Sequence, residues 1–301
     1  MSEEIALQTK HEIAQLLASA GTRPNKKLGQ NFLIDLNLMR KLITAADIRP
    51  DDIVLEVGCG TGSFTEELIK EAGSVVGVEF DKTLAWIVKG RLETAENAKI
   101  INADILENKN RLCAEAVTAV EQAKKQFGGR ILLVANLPYG VAAAVMANLI
   151  TAAQLAADVM YVTVQKEVAE RMTANPGDHR YGTLSILMDA TGETEILRIL
   201  PASVFWPRPK VESAMVKFLR NETKASRIKD MQLFREVVSL FMGHRRKMVK
   251  AATKFAEGRL AKITDWQKIF ETCQINPKAR PQTLSAEDYI AITEEIRKSK
   301  E

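Results

Sequence analysis

Cysteine and histidine are scarce in this chain, with three of each among 301 residues. Cys59, Cys113 and Cys273 stand far apart, no CxxC pair occurs, and no histidine lies near them at ligand spacing. That pattern argues against a disulfide scaffold and against structural zinc, so no metal is expected and a reducing, cytoplasmic setting is. Long apolar runs are missing as well. The nearest approach, 131–157, is interrupted by Asn136, Pro138, Gly140 and Asn148, whereas a membrane span needs about 20 consecutive apolar residues. Residues 1–11 lack the charged-then-apolar order of a signal peptide. No Ser/His/Asp set and no paired carboxylates are found, and neither are internal repeats or low-complexity tracts.

What is present is the composition of a folded chain, 46% hydrophobic and 27% charged, with enough apolar residues to build a core. The net charge of +4 is unevenly spread. Residues 206–262 hold fifteen Lys/Arg against five Asp/Glu, a net +10, which leaves −6 on the remainder. A basic block on an acidic body suits a polyanionic partner, the plainer alternative being a solvated helical surface.

Apolar spacing predicts a helix within 1–22 (Ile5, Ile13, Leu16, Leu17) that ends at Gly21. A short helix over 36–46 follows a polar, basic connector. Strands are then predicted at 53–57, 75–78, 100–101, 131–135 and 159–164, with helices at 63–71 and 82–92 between them. Such alternation implies a parallel sheet covered on both faces. The polar, helical stretch 108–129 reads as an insertion. A helix over 181–190 and strands over 195–200 and 214–218 complete the body, and beyond 220 only helical periodicity remains. The expected organisation is an N-terminal helical extension (1–25), an α/β body (26–220) and a small basic helical domain (221–301).

Val54-Leu-Glu-Val-Gly-Cys-Gly-Thr-Gly62 places glycines directly after the first of these strands. Glycine lets a backbone approach a ligand closely, and a ligand can lie across the strand ends where the sheet order reverses. Glu79 closes the next strand, where an acid can accept hydrogen bonds from ribose hydroxyls. Dinucleotide binders use G-x-G-x-x-G, but here Ser63 occupies the third glycine position. The G-x-G-x-G form resembles instead motif I of class I methyltransferases, whose cofactor carries no phosphate. Asp104, after the third strand, suits either an adenine amine or a capping role.

Asn136-Leu-Pro-Tyr139 follows the fourth strand, where catalytic groups collect in open α/β sheets. It resembles the N-P-P-Y motif of methyltransferases that act on exocyclic amines. An adenine amine is a poor nucleophile because its lone pair is delocalised into the ring. Acceptors at the Asn136 side chain and the Pro138 carbonyl would draw its hydrogens and localise that pair. Tyr139 can stack on the base, and proline preorganises the loop.

Several longer motifs occur in order: Lys27-Leu-Gly-Gln-Asn-Phe-Leu33, Gln165-Lys-Glu-Val-Ala-Glu-Arg171, Tyr181-Gly-Thr-Leu-Ser185, Val204-Phe-Trp-Pro-Arg-Pro-Lys-Val-Glu-Ser-Ala214, Phe241-Met-Gly-His-Arg-Arg-Lys247 and Arg280-Pro-Gln-Thr-Leu284. Together they resemble the ribosomal RNA adenine N6,N6-dimethyltransferases, in particular the bacterial small-subunit branch, from about residue 26 to 280. The resemblance implies a Rossmann-like class I methyltransferase fold, α/β with a mostly parallel sheet and an antiparallel last strand, plus a small all-α C-terminal domain. It implies S-adenosyl-L-methionine as cofactor, held by Asn31, Leu33, Gly58, Gly60, Glu79, Asp104 and Asn136. Asn136, Pro138 and Tyr139 would carry the catalysis, with Phe205 opposite Tyr139 as the second aromatic face on a flipped base. Arg245, Arg246 and Lys247, on a basic helix, would contact RNA. The implied substrate is a pair of adjacent adenines in the 3′-terminal hairpin loop of small-subunit (16S-type) rRNA, and the expected state is a monomer.

Three departures from the family pattern stand out: Gly140-Val-Ala-Ala after the tetrapeptide, Cys59 in the glycine loop, and the 108–129 stretch. Small residues at 140, 142 and 143 could leave room for a first methyl group during a second transfer. The alternatives are a large-subunit rRNA methyltransferase of the antibiotic-resistance type, a DNA amino-methyltransferase, and a non-catalytic assembly factor on the same scaffold.

Overall fold

The computed structural model describes residues 8–25, 28–152 and 155–299. Ile5 of the expected first helix, and Lys26 and Lys27 of the opening motif, lie outside the described residues. The chain divides into two compact units. One comprises Met1–Ala169 with Glu195–Phe218, the other Glu170–Thr194 with Leu219–Glu301.

The first unit opens with α1 (Lys10–Ser19), β1 (Phe32–Leu33) and α2 (Leu36–Ala46). Then β2 (Ile53–Val57), α3 (Ser63–Glu71), β3 (Ser74–Glu79), α4 (Lys82–Arg91) and β4 (Ala98–Asn102) alternate. A hairpin of β5 (Leu106–Asn108) and β6 (Arg111–Leu112) leads to α5 (Ala114–Phe127), β7 (Ile131–Asn136), α6 (Ala142–Thr151) and β8 (Val159–Gln165). Helices α7 (Lys166–Met172) and α8 (Thr183–Thr191) precede β9 (Gly192–Leu200), β10 (Phe205–Trp206) and β11 (Ser213–Arg220). Among the described residues, the main sheet has seven strands in the order β4-β3-β2-β7-β8-β11-β9. The pairings β3–β4, β2–β3, β2–β7 and β7–β8 are all parallel. Strand order therefore reverses between β2 and β7, and the crevice beyond their carboxyl ends is where ligands bind in open α/β sheets.

The central strands read as mostly apolar runs because both faces of the sheet are covered there. Every residue of β2 is buried, as are Ile131–Ala135 of β7. Leu38, Met39 and Leu42 of α2 pack with Val54, Phe64, Leu132 and Val134 in one core cluster. Fully buried Asp52 fastens the start of β2 to Arg130, 2.6 Å away at the start of β7. Helix α5 buries Ala116, Ala119, Val120 and Ala123 and packs on β2, β3 and β4. The 108–129 stretch is thus no insertion. It supplies the crossover that a parallel β4-to-β7 connection requires. No helix among the described residues is long and apolar enough to cross a membrane.

The second unit is helical. After α8 it contains α9 (Glu222–Ala225), α10 (Met231–Gly243), α11 (Val249–Ala252), α12 (Trp266–Thr272) and α13 (Ala286–Lys298). Phe234, Phe241, Phe270 and Tyr289 are fully buried in it, and the Tyr289 hydroxyl donates to the Pro281 carbonyl at 2.9 Å. Side chains of Asp230, Asp265 and Ser285 cap α10, α12 and α13. The second unit includes residues 170–194, upstream of the expected division at 220, because α8 packs on α10 and α13.

Candidate active site

The glycine loop follows directly on β2. Gly58 has φ +82°, and a Cβ placed there would sit 2.9 Å from Cγ of Pro138. Only glycine combines that left-handed backbone with so close a neighbour. The Gly58 N–H donates to the Val78 carbonyl at 2.8 Å, which ties the loop to β3.

Glu79, at the end of β3, is 6% exposed. Its Oε2 accepts the Gly60 N–H at 2.9 Å and its Oε1 the Asp81 N–H at 2.8 Å. Burial raises its pKa, and these two bonds partly oppose the rise. Each oxygen keeps a further lone pair for a ligand. Glu56, one strand over, is 2% exposed, and its Oε2 has no hydrogen-bond partner. Burial, reinforced by the nearby Glu79, pushes this carboxyl up to about 8.

The tetrapeptide begins at the last residue of β7. The Asn136 Nδ2 donates to the Asn31 carbonyl at 2.9 Å, and the Asn31 Nδ2 to the Gly29 carbonyl at 2.9 Å. On its other side, Asn136 Oδ1 accepts from the hydroxyl of Thr163. The Tyr139 hydroxyl pairs with Ser213 Oγ at 2.8 Å. The Pro138 carbonyl, expected to receive the target amine, instead accepts the N–H groups of Val141 and Ala142, both at 3.2 Å. Those bonds begin α6, so this acceptor is used by the helix that follows it.

One cavity of about 360 Å³ joins these parts. It is lined by Gly58, Gly60, Glu79 and Asp104 from the strand ends, by Asn136, Pro138 and Tyr139 from the tetrapeptide, and by Asn31 and Leu33 from the opening motif. Asp104 is exposed, and its Oδ1 accepts the Leu106 N–H at 2.9 Å in a local turn rather than capping a helix. Glu56 and Phe80 also line the cavity, and Phe80 is 58% exposed.

A further expectation requires correction. Phe205 does not face Tyr139 across the cavity. It is 2% exposed and packs in the core with Leu33, Met39 and Leu42, drawn there by the pairing of β10 with β1. Residues 140–143 have mixed surroundings: a Cβ at Gly140 would meet nothing within 4 Å. Ala142 is fully buried, and of this segment only Val141 lines the cavity.

Four contributors were not read as site residues from the sequence: Glu56, Thr163, Ser213 and Gln8. Gln8 is 3% exposed and holds the glycine loop at three points. Its N–H donates to Ser63 Oγ at 2.8 Å, its Oε1 accepts from Thr61 Oγ1 at 2.6 Å, and its Nε2 donates to the Thr61 carbonyl at 3.3 Å. The segment expected as a separate extension therefore buttresses the loop, and Ile13 of α1 forms part of the cavity wall.

In the second unit, α10 ends at Gly243, so Arg245, Arg246 and Lys247 occupy an exposed turn rather than the expected basic helix. His244 stacks on Phe255 at 4.1 Å, and the Lys247 ammonium lies 5.2 Å from the same ring. Other members of the basic block are internally neutralised, Arg227 by Glu287 and Arg259 by Asp230 and Glu236.

Known proteins resemble this chain along most of its length. The chain is 36% identical over 286 residues to a Ribosomal RNA small subunit methyltransferase A of Pelotomaculum thermopropionicum, covering 94% of each protein. It is 38% identical over 273 residues to the protein of the same name from Caldanaerobacter subterraneus subsp. tengcongensis, covering 89% of this chain and 95% of that one. The crystal structure of a dimethyladenosine transferase from Plasmodium falciparum shares the fold, with a TM-score of 0.67 at 23% identity over 88% of this chain and 97% of that one. The family model described as Ribosomal RNA adenine dimethylase matches residues 21–298. On that match, the chain belongs to the ribosomal RNA adenine dimethylase family.

Proposed function

We propose that this protein transfers methyl groups from S-adenosyl-L-methionine to the N6 amines of two adjacent adenines in the 3′-terminal hairpin loop of small-subunit rRNA. The observation that carries the proposal is the shared cavity, in which Pro138 of the tetrapeptide abuts Gly58 of the glycine loop. The names of the bacterial relatives support the small-subunit assignment.

The lining suits this cofactor. Its described residues include three acids, Glu56, Glu79 and Asp104, and no Lys or Arg. Burial keeps Glu56 largely protonated, so the negative charge there comes from Glu79 and Asp104; it opposes a pyrophosphate and favours a sulfonium and an ammonium. Glu79 would receive ribose hydroxyls, Asp104 the adenine amine, and Asn31, Leu33 and the glycines would shape the methionine end. When bound, the cofactor supplies an electrophilic methyl group.

The remaining work belongs to the chain. Asn136 Oδ1 keeps one lone pair beyond its bond to Thr163 and offers it to the target amine. With the Pro138 carbonyl committed to α6, the Leu137 carbonyl is the second acceptor we assign, since that residue lines the cavity while its side chain is buried. Two acceptors pull the amine toward a pyramidal form and free its lone pair for attack. Tyr139 provides a stacking face, held at its far end by Ser213. Orientation, more than a strong base, is what the reaction needs.

The direct test is a transfer assay with labelled cofactor, run in parallel on undermethylated small subunits and on large subunits. Dimethyladenine at adjacent positions in the 3′-terminal hairpin is the expected product, and transfer to large-subunit rRNA alone would refute the assignment. Ser213→Ala should raise the KM for the RNA substrate about fivefold, the worth of one hydrogen bond, and steady-state kinetics would measure it. We also assign RNA backbone contacts to Arg245, Arg246 and Lys247. Replacing all three with alanine should flatten the slope of log affinity against log salt by roughly two to three, at about 0.7–0.9 per phosphate contact. Filter binding across a salt series reads that slope, and an unchanged slope removes the turn from the RNA interface.

A further inference from the structure

We propose that Thr163 is a positioning residue for methyl transfer, acting through Asn136. The inference rests on the functional reading above. Thr163 lies on β8 directly opposite Asn136 in the parallel β7–β8 register. It is fully buried and does not line the cavity, so it reaches the substrate only through its neighbour. Its hydroxyl donates to Asn136 Oδ1, while Asn136 Nδ2 donates to the Asn31 carbonyl at 2.9 Å.

The two contacts have different consequences. A carboxamide is nearly symmetric in shape but opposite in hydrogen-bonding sense at its two ends. The Asn31 carbonyl can only accept, so it fixes which end is nitrogen. Its single bond still leaves the amide plane free to swing about the side-chain torsion, which is broad for asparagine. The Thr163 hydroxyl pins the oxygen end and so fixes the plane. The one lone pair left on Oδ1 then keeps a constant direction for the amine. Without the hydroxyl, the amide spends part of its time rotated away from that direction, and the loss falls on turnover rather than on cofactor binding. Valine at 163 would fit the same volume and suit the strand equally well, so packing does not account for a hydroxyl here.

The test compares Thr163→Val, which keeps the shape and removes the hydroxyl, with Thr163→Ser, which keeps the hydroxyl. Thr163→Ala removes the hydroxyl through a smaller side chain and guards against misfolding of the valine form. Each is assayed on undermethylated small subunits, with thermal unfolding and calorimetric affinity for S-adenosylhomocysteine measured in parallel. The expected result is a fall in kcat of about tenfold for Thr163→Val and Thr163→Ala, from the loss of one orienting hydrogen bond. Affinity for S-adenosylhomocysteine should stay within twofold, and Thr163→Ser should recover most of the turnover. A kcat for Thr163→Val within twofold of an active wild type overturns the role of Thr163 alone. So does a loss in Thr163→Ser as large as that in Thr163→Val. An inactive wild type overturns this inference together with the reading beneath it.

Discussion

Replacing Asn136 with alanine is expected to lower methyl transfer by about 10²–10³-fold, the scale set by removing a preorganised polar group that acts on developing charge. Asn136 is the proposed acceptor for the amine and the centre of a hydrogen-bond chain running from Gly29 through Asn31 to Thr163. Alanine removes the acceptor and leaves the buried Thr163 hydroxyl and the Asn31 carbonyl without their present partner. Binding to small subunits should persist, because the residues assigned to RNA backbone contact lie in the other unit. Transfer assays and subunit pelleting on the same preparation separate the two effects. Retained transfer would remove Asn136 from the reaction, and a joint loss of binding and transfer would point to a folding defect instead.

The second large effect is expected at Gly58. Gly58→Ala places a methyl group 2.9 Å from Cγ and 3.1 Å from Cδ of Pro138, at a backbone φ of +82°. The left-handed conformation alone costs roughly 1–2 kcal/mol for a residue with a Cβ, and the proline ring is too stiff to yield by side-chain rotation. The loop or the tetrapeptide must shift, so cofactor binding and turnover fall together, by about 10²-fold for a displacement of order 1 Å. Gly140→Ala is the matched control, since a Cβ there meets nothing within 4 Å. Calorimetry with S-adenosylhomocysteine should find the control unchanged and the Gly58 variant severely weakened. Equal binding by the two would mean that the contact between the loops is unimportant.

Much of the sheet is legible because β2, β3, β7 and β8 are mostly apolar, and the loops that follow carry unmistakable punctuation in Gly58-Cys-Gly and Asn136-Leu-Pro-Tyr139. Helix α5 was misjudged for a physical reason. Its buried face consists of three alanines and a valine, too weak an apolar stripe to stand out among its lysines, glutamates and glutamines. Thr163 was hidden in a different way. In Val159-Met-Tyr-Val-Thr-Val164 it reads as one more β-branched strand former, and only the β7–β8 register places its hydroxyl against Asn136. Phe205 shows the opposite error, an aromatic residue in a suggestive motif that the β1–β10 pairing turns into the core. The Pro138 carbonyl was misassigned because its bonds depend on a helix that begins several residues later. Gln8 and Ser213 act across separations of 53 and 74 residues from Thr61 and Tyr139, distances over which local pattern carries no information.

The abutment of Gly58 and Pro138 also bears on how such proteins can be re-engineered. The turn that shapes the donor side and the turn that shapes the acceptor side share one van der Waals boundary, so neither is an independent module. A chimera that imports a new acceptor loop from another enzyme, while keeping the native glycine turn, inherits a mismatched seam. Grafts on this scaffold should therefore move both turns as a single cassette.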